Sequence, residues 1–321
     1  MFIHPRALIL LWLAMQAAST AIAQSYPTKP LRFILPFPPG GATDAVGRTI
    51  AERLQIALKQ NVVADYRPGA GGNVGYGQVA RAVADGYTIG LCSPSIAISP
   101  SLYKNPGYEL RDIAPVALVG VIPSLLVVHP SVPANNLREL IGLARKHPGK
   151  LNFGSGGVGT SNHFSGEMLK SLAKINIVHV PYKGTSVAMF ALLTGETDIV
   201  TIGPPAALPL LREKRLKALA VLRKQRITQL PDVPTTAEAG LPGWEVNTWY
   251  GMIAPAGTPR DIISLLNTEL VKALQTPEAI KRLAGVGAEP LASSVEEFAD
   301  YLKSETAQYA KLIRDAGIRG D

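Results

Sequence analysis

The chain has 321 residues, a formal net charge of +8 at pH 7 and one cysteine, Cys92. This length allows two ordinary domains with a core each, and a single cysteine excludes an internal disulfide. The basic residues are scattered and no Cys/His cluster has the spacing of metal ligands, so we expect neither a nucleic-acid partner nor a cofactor.

The first 23 residues have the pattern of a secretory signal peptide. Arg6 precedes an apolar run from Ala7 to Ala18, and Ala21-Ile22-Ala23 provides the small residues of a cleavage site. The apolar run is too short to span a bilayer comfortably, and no second long run follows. We therefore expect export to the periplasm with removal of the signal peptide near Ala23; a retained signal anchor is the alternative.

Strands and helices alternate in the next part of the chain. The predicted elements are a strand at 31–37, a helix with an apolar stripe from Val46 to Leu58, a strand at 61–66, a helix at 74–84 and a strand at 87–92. Two glycine loops, at 38–41 and 67–72, separate them, and Thr43 is expected to cap the first helix. This alternation is typical of an α/β layer, in which ligands bind beyond the carboxyl ends of the strands.

An uncapped apolar stretch at 113–129 is predicted to cross into a second domain, and another extended stretch at 244–253 is predicted to return. Between them the predicted elements are a helix at 137–146, a strand ending at 153, a strand at 175–180, a helix ending at 193, a strand at 198–202, a helix at 205–213 and a strand at 216–222. The predicted lobes are 24–121 with 250–321, and an inserted lobe at 122–249, with a hinge near 120–123 and 249–251. The helices after residue 260 are expected to pack on the first lobe.

The stretch from Asn152 to His163, NFGSGGVGTSNH, is the strongest candidate for a binding site. Four of the six residues at 154–159 are glycine, so the backbone can approach a ligand closely. Thr160 or Ser161 is expected to cap the following helix, whose predicted stripe is Phe164, Met168 and Leu172. A glycine loop before a capped helix start is typical of an anion site.

Several of these residues are open to more than one interpretation. His163 is a packed residue of the first helical turn, a ligand contact, or a general base for Ser155 or Ser161 in an exported hydrolase. The nucleophile pattern G-x-S-x-G fails because Phe153 occupies its first glycine position. Asp44 is predicted to be structural, and Asn73 is either a helix cap or a ligand contact.

Seven motifs occur in the order and spacing of a known family. Over nearly its whole mature length the chain resembles the Bug/TctC solute-binding proteins of tripartite tricarboxylate transporters. The motifs are PTKPLRFILPFPPGGATD, RPGAGGNVG, DGYTIG, HPGKLNFGSGGVGTSNH, VPYKG, LPDVPTTAEAGLPGWE and APAGTP. Val158 departs from the pattern, since the family often has a polar residue there.

The resemblance implies a two-lobed periplasmic binding protein of type II, α/β in class. Each lobe would be a mainly parallel or mixed sheet flanked by helices, with the ligand cleft between the lobes. Family members bind di- and tricarboxylates, acidic amino acids or aromatic acids through loop amides, hydroxyls and ordered waters, without a dedicated arginine. A monomeric, non-enzymatic protein that delivers its ligand to a membrane permease is expected; a ligand-sensing partner of a sensor kinase is the alternative, and a Ser/His hydrolase is a remote one.

The family pattern also implies a set of ligand-binding residues. These are Phe37, Gly41, Thr43, Asp44, Asn73, Ser95, Ser155, Gly159, Thr160, Ser161 and His163.

Overall fold

A computed structural model describes residues 26–318 of the chain. The predicted signal peptide at 1–23 therefore lies outside the described residues. The strands are β1 Leu31–Leu35, β2 Val62–Tyr66, β3 Thr88–Cys92, β4 Ile113–Pro123, β5 Leu125–Val128, β6 Asn152–Ser155, β7 Val178–Pro181, β8 Ile199–Ile202, β9 Lys217–Val221, β10 Asn247–Pro255 and β11 Glu289–Pro290. The helices are α1 Ala42–Leu58, α2 Asn73–Ala80, α3 Ser95–Leu102, α4 Leu137–Lys146, α5 Ser161–Ala173, α6 Thr185–Leu193, α7 Pro204–Arg212, α8 Arg260–Leu274, α9 Pro277–Gly285 and α10 Val295–Ala316.

The strands form two mixed sheets, each flanked by helices. The first has six strands in the order β11-β4-β10-β3-β1-β2, and the second has five in the order β7-β6-β8-β5-β9. The strands that alternate with helices, β1 to β3 and β6 to β8, pair in parallel, whereas β5 and β10 pair antiparallel to their neighbours. The predicted two-lobed α/β architecture is confirmed.

The chain passes between the sheets twice, at adjacent points. Only Ser124 separates β4 of the first sheet from β5 of the second. On the return, the amide of Val246 donates to Leu222 beside the second sheet, and Asn247 then pairs with Pro123 in the first. Because both crossings are short and adjacent, they suit a hinge, but the predicted lobe boundaries and hinge motion stay a prediction.

Helix caps and apolar stripes explain most of the helices. Asn136 caps α4, and Ser294 with Glu297 forms the capping box of α10, as predicted. In α5, however, Leu172 is 39% exposed and Leu169 is buried in its place. The predicted stripe is wrong at this position because α5 packs on both its own sheet and α10.

Two further features of the first layer depart from the sequence predictions. Helix α2 ends at Ala80 instead of 84. Helix α3 was not predicted, since it contains Pro100 and lacks an apolar period. Cys92 is buried as expected, and its thiol donates to the carbonyl of Gly251. Within residues 26–318, no helix combines the length and apolar character needed to cross a membrane.

Candidate functional site

A cavity of about 580 Å³ lies between the two sheets. Its walls are the first glycine loop at 37–43, the start of α5 at 160–162 and the start of α6 at 183–187. Ser124 and Thr248, which lie beside the two chain crossings, also line it. The cavity is therefore bounded by both lobes and by the connections between them.

The first glycine loop presents the start of α1 to this cavity. Gly41 is the N-cap and has no side-chain cap, so amide groups of the first turn are left without an internal acceptor. Thr43 lies inside the first turn, and its hydroxyl oxygen is 3.2 Å from the hydroxyl oxygen of Tyr250 on β10. The predicted capping role of Thr43 is therefore wrong, because the helix begins two residues earlier than predicted, at Ala42, and the hydroxyl of Thr43 bonds to the crossing strand.

Asp44 stabilises the first glycine loop by hydrogen bonds and does not line the cavity. Its carboxylate accepts hydrogen bonds from the amide of Gly40, the hydroxyl of Tyr66 and the guanidinium of Arg48. Burial raises the pKa of Asp44, but these three hydrogen bonds outweigh it and hold the pKa below its ordinary value. The carboxylate is thus charged and fully occupied by the protein, which agrees with the structural interpretation.

The third glycine loop, at 154–159, is held by hydrogen bonds of the Ser155 and Thr160 hydroxyl groups. Ser155 accepts a hydrogen bond from the amide of Gly157, and the Thr160 hydroxyl donates to the carbonyl of Gly157 at 2.7 Å. Thr160 also caps α5 by accepting from the amide of His163, as predicted. Gly157 has φ +123°, a conformation that residues with a side chain rarely adopt. These bonds present Thr160 and Ser161 to the cavity.

Two histidines lie beneath this loop as part of an aromatic stack. His179 stacks between Phe153 and His163, with ring centroids 4.8 and 4.2 Å away. His163 accepts from the amide of Gly159, and the Ser155 hydroxyl bonds to His179 at 2.7 Å. A Ser–His pair therefore exists, but it involves His179, which the sequence analysis did not single out. Neither histidine lines the cavity.

Burial keeps both histidines neutral. It lowers the pKa of His163, and burial together with the proximity of His163 lowers the pKa of His179 to about 3. A general base needs a pKa near the operating pH, so the pair at Ser155 does not fit catalytic use. We infer that it fixes the loop.

This stack predicts a loss of stability in acid. Between about pH 6.5 and 3 the unfolded chain binds a proton at residue 179 that the folded chain does not, so stability falls as pH falls through this window. We expect His179→Gln to be less stable at pH 7 but to lose stability less steeply, by up to about 1.4 kcal/mol per pH unit. Urea unfolding at pH 7, 6, 5 and 4 measures the slope.

The control for this experiment is His147→Gln, which changes an exposed histidine of the same lobe. It should keep the parental slope. Equal slopes in His179→Gln and the parent would show that residue 179 does not carry the acid sensitivity.

The start of α6 completes the site. Gly184 is its N-cap without a side-chain cap, and its amide donates to the carbonyl of Gly156 in the third loop. A Cβ added to Gly41 would lie 3.8 Å from the Ser186 hydroxyl oxygen, so the starts of α1 and α6 face each other across the cleft. Lys183 precedes this start, lines the cavity and forms no ion pair or hydrogen bond with any residue in the described part of the chain.

The second glycine loop lies outside this cavity. Asn73 lines a smaller cavity of about 350 Å³, and the cap of α2 is Gly72, so the predicted capping role of Asn73 is wrong. The loop touches the third one, because a Cβ on Gly71 would come within 2.8 Å of the carbonyl oxygen of Val158. The lobes therefore meet here.

The eleven predicted ligand-binding residues fall into two groups. Five line the cavity: Phe37, Gly41, Thr43, Thr160 and Ser161. The other six lie behind it or beside it: Asp44, Asn73, Ser95, Ser155, Gly159 and His163. Ser95, for example, is buried against the hydroxyl of Tyr76 at 2.8 Å.

Sequence analysis missed polar residues of the cavity wall. They are Ser93, Ser124, Asn162, Lys183, Thr185, Ser186, Thr248 and Tyr250. Lys183 stands in the VPYKG motif and follows a predicted strand end, which is the signal that could have placed it. Ser124, Thr248 and Tyr250 lie at the crossings, where only the return of the chain brings them to the cavity.

The charges around the cavity favour an anion. The lining residues within 26–318 include the cation of Lys183 and no carboxylate. The starts of α1, α5 and α6 converge here, and each carries the partial positive charge and free amides of a helix N-terminus. The arrangement suits a small anionic ligand.

Comparisons with known proteins show what the chain is similar to. The family described as "Tripartite tricarboxylate transporter family receptor" (TctC) matches residues 46–318. A relative from Pseudomonas sp. strain P51, named "UPF0065 protein in tcbD-tcbE intergenic region", is 40% identical over 94% of this chain and 91% of its own length.

Three solved structures are similar to this chain over most of its length. The structure of the periplasmic binding protein BugD is 36% identical, has a TM-score of 0.85 and covers 92% of this chain and 99% of its own. Rpa4515 of R. palustris, solved with adipate, is 35% identical with the same TM-score and coverage. MatC of Rhodopseudomonas palustris, with bound malate, is 31% identical with a TM-score of 0.83, over 90% of this chain and 100% of its own.

Proposed function

The chain belongs to the tripartite tricarboxylate transporter receptor (TctC) family of periplasmic binding proteins, and from this premise we propose that it captures a small organic carboxylate for a membrane transporter. The observation that carries this proposal is the convergence of three helix N-termini and Lys183 on one cavity between the lobes. Backbone amides and hydroxyls that line the same cavity can replace the hydrogen bonds of water to a carboxylate, so that a buried arginine is not needed. Two similar structures were solved with carboxylates, adipate and malate, which supports the assignment.

The proposed ligand contacts are the cavity-lining residues of both lobes. Phe37, Gly41 and Thr43 would contact the ligand from one side, and Thr160 and Ser161 from the other. Lys183 joins them as a contact that the sequence prediction lacked. We assign the six remaining predicted residues to support, because their polar groups bond to the loops or lie outside the cavity.

The test is calorimetry with acids and their primary amides. We expect hexanoate and benzoate to bind at least about fivefold more tightly than hexanamide and benzamide, because hydrogen bonds to a charged group are stronger by roughly 1 kcal/mol or more. Equal affinities for acid and amide would contradict a carboxylate site.

The transport role is tested in cells. Delivery to a permease requires that deletion of the gene abolish uptake of the labelled ligand, and that the intact gene restore it. A strain without the gene that keeps normal uptake would exclude the role. The proposed protein is a binding protein and not an enzyme: Ser155 is buried, His179 is half-buried with a low pKa, and neither lines the cavity between the lobes or the smaller one beside Asn73.

A further inference from the structure

A tyrosine of the first lobe bonds to the third glycine loop in the second lobe. Tyr103 follows α3, and its hydroxyl donates a 3.0 Å hydrogen bond to the carbonyl of Val158. Its ring lies against the adjoining backbone, since a Cβ added to Gly159 would lie 3.1 Å from both the ring edge and the hydroxyl oxygen. A Cβ on Gly71, in the second glycine loop, would lie 2.8 Å from the same carbonyl oxygen. Two segments of the first lobe therefore contact one carbonyl of the second.

The carbonyl of Val158 differs from the two carbonyls that precede it in the loop. The carbonyl of Gly157 accepts from the Thr160 hydroxyl, and the carbonyl of Gly156 accepts from the amide of Gly184, so both are bonded within the second lobe. The next carbonyl is bonded to the first lobe instead. Because Thr160 also lines the cavity between the lobes, one short loop carries both a wall of the cavity and a contact between the lobes.

This contact is separate from the two chain crossings. In the first sheet the crossing strands are β4 and β10, whereas the second glycine loop follows β2, the edge strand that β3 and β1 separate from β10. In the second sheet the third glycine loop follows β6, which β8 separates from the crossing strand β5. A hydrogen bond is lost when donor and acceptor move apart by about an ångström, so any movement that separates the lobes at this point breaks the bond.

Building on the proposed function, we infer that Tyr103 is a positioning residue for ligand binding: its hydrogen bond to Val158, the latch, holds the lobes closed around the ligand. Tyr103 does not line the cavity between the lobes, so it acts through the closed form and not by contact with the ligand. A ligand that binds only the closed form has an apparent affinity proportional to the fraction of closed protein. Loss of the latch therefore weakens the binding of every ligand by the same factor.

Tyr103→Phe tests the latch in the mature protein, because it removes the hydroxyl and keeps the ring against Gly159. The probes are hexanoate, benzoate, adipate and malate. We expect the dissociation constant of each acid that binds the parent to rise by the same factor, about two- to tenfold, since the Val158 carbonyl loses its hydrogen bond in the closed form only. Calorimetry gives the dissociation constants, and stopped-flow fluorescence should place most of the change in faster dissociation.

The matched control is Tyr108→Phe. The Tyr108 hydroxyl also donates to a backbone carbonyl, that of Ile96 at 3.1 Å, but both residues belong to the first lobe. This variant should lower the temperature of thermal unfolding and keep the parental dissociation constants. Hydrogen exchange of the amides at 156–160 without ligand is the second measurement. We expect Tyr103→Phe to speed this exchange, because the loop is released from the first lobe, and Tyr108→Phe to leave it at the parental rate.

The outcomes separate the inference from the proposed function. Parental dissociation constants in Tyr103→Phe would overturn the latch and leave the proposed carboxylate site intact, and equal hydrogen exchange in Tyr103→Phe and the parent would likewise overturn it. A factor that differs from acid to acid would show that Tyr103 contacts the ligand directly, which also contradicts the inference. If none of the four acids binds the parent, and citrate and succinate do not bind either, the proposed function fails and hydrogen exchange alone decides the latch.

Discussion

Replacing Gly41 with leucine is expected to weaken ligand binding by up to roughly 150-fold while the protein stays folded, because overpacking a close contact costs about 1–3 kcal/mol. Gly41 has φ −99° and ψ 178°, an extended conformation that any residue adopts, so the substitution causes no backbone strain. Its Cβ would lie 3.8 Å from the Ser186 hydroxyl oxygen. The remaining carbons of leucine would fill the gap between α1 and α6 and hold the lobes apart.

The matched control is Gly41→Ala, whose single methyl fits at ordinary contact distance and should bind nearly as the parent does. The dissociation constants are measured by calorimetry, and thermal unfolding checks the fold of each variant. If Gly41→Leu binds as tightly as Gly41→Ala, the gap between Gly41 and Ser186 is not where ligand binds. The prediction does not depend on which carboxylate is the natural ligand.

Local patterns were sufficient to predict most of the fold. The capping box at Ser294 and Glu297 marks the start of α10, and the alternation of strands and helices predicts the two layers. Helix α3 was not predicted because Pro100 and its serines are poor helix formers, and the helix is stabilised by packing against neighbouring elements. Propensity is a weak guide where tertiary packing decides the conformation.

The site could be predicted as loops but not as side-chain contacts. The glycines at 154–159 and the hydroxyls after them correctly marked a loop that borders the cavity. Whether a side chain in such a loop faces the ligand or the protein depends on residues far away in sequence. A hydrogen bond to Tyr66 directs Asp44 away from the cavity, and a hydrogen bond to His179 does the same for Ser155. Neither partner can be identified from the sequence around the loop.

The cavity residues at the chain crossings could not be predicted from local sequence either. Thr248 and Tyr250 reach the cavity because β10 returns beside β4, and their hydroxyls meet Ser161 and Thr43 at separations of 87 and 207 residues. No spacing rule covers such distances. A sequence analysis can find the loops that a sheet edge brings together, but the partners that the rest of the chain supplies require the structure.

Removing the hydroxyl of Thr160 is the second large effect that we expect. In Thr160→Ala the carbonyl of Gly157 loses its 2.7 Å hydrogen bond, and the amide of His163 loses its cap. The cap alone is worth about 0.5–2 kcal/mol of stability. Thr160 also lines the cavity, and we expect its single hydroxyl proton to turn from Gly157 to a bound carboxylate, so that removing the hydroxyl weakens binding by about 1.5–3 kcal/mol, or roughly 10- to 150-fold.

Two variants frame this experiment. Thr160→Ser keeps the hydroxyl and should retain most of the affinity and stability, whereas Thr160→Ala loses both. Ser131→Ala removes an exposed hydroxyl that bonds to His129, remote from the cavity, and should bind as the parent does. Calorimetry gives the dissociation constants after circular dichroism has shown that the variants are folded. Parental affinity in folded Thr160→Ala would mean that the third glycine loop borders the cavity without binding the ligand. The carboxylate would then have to be bound by the starts of α1 and α6 with Lys183.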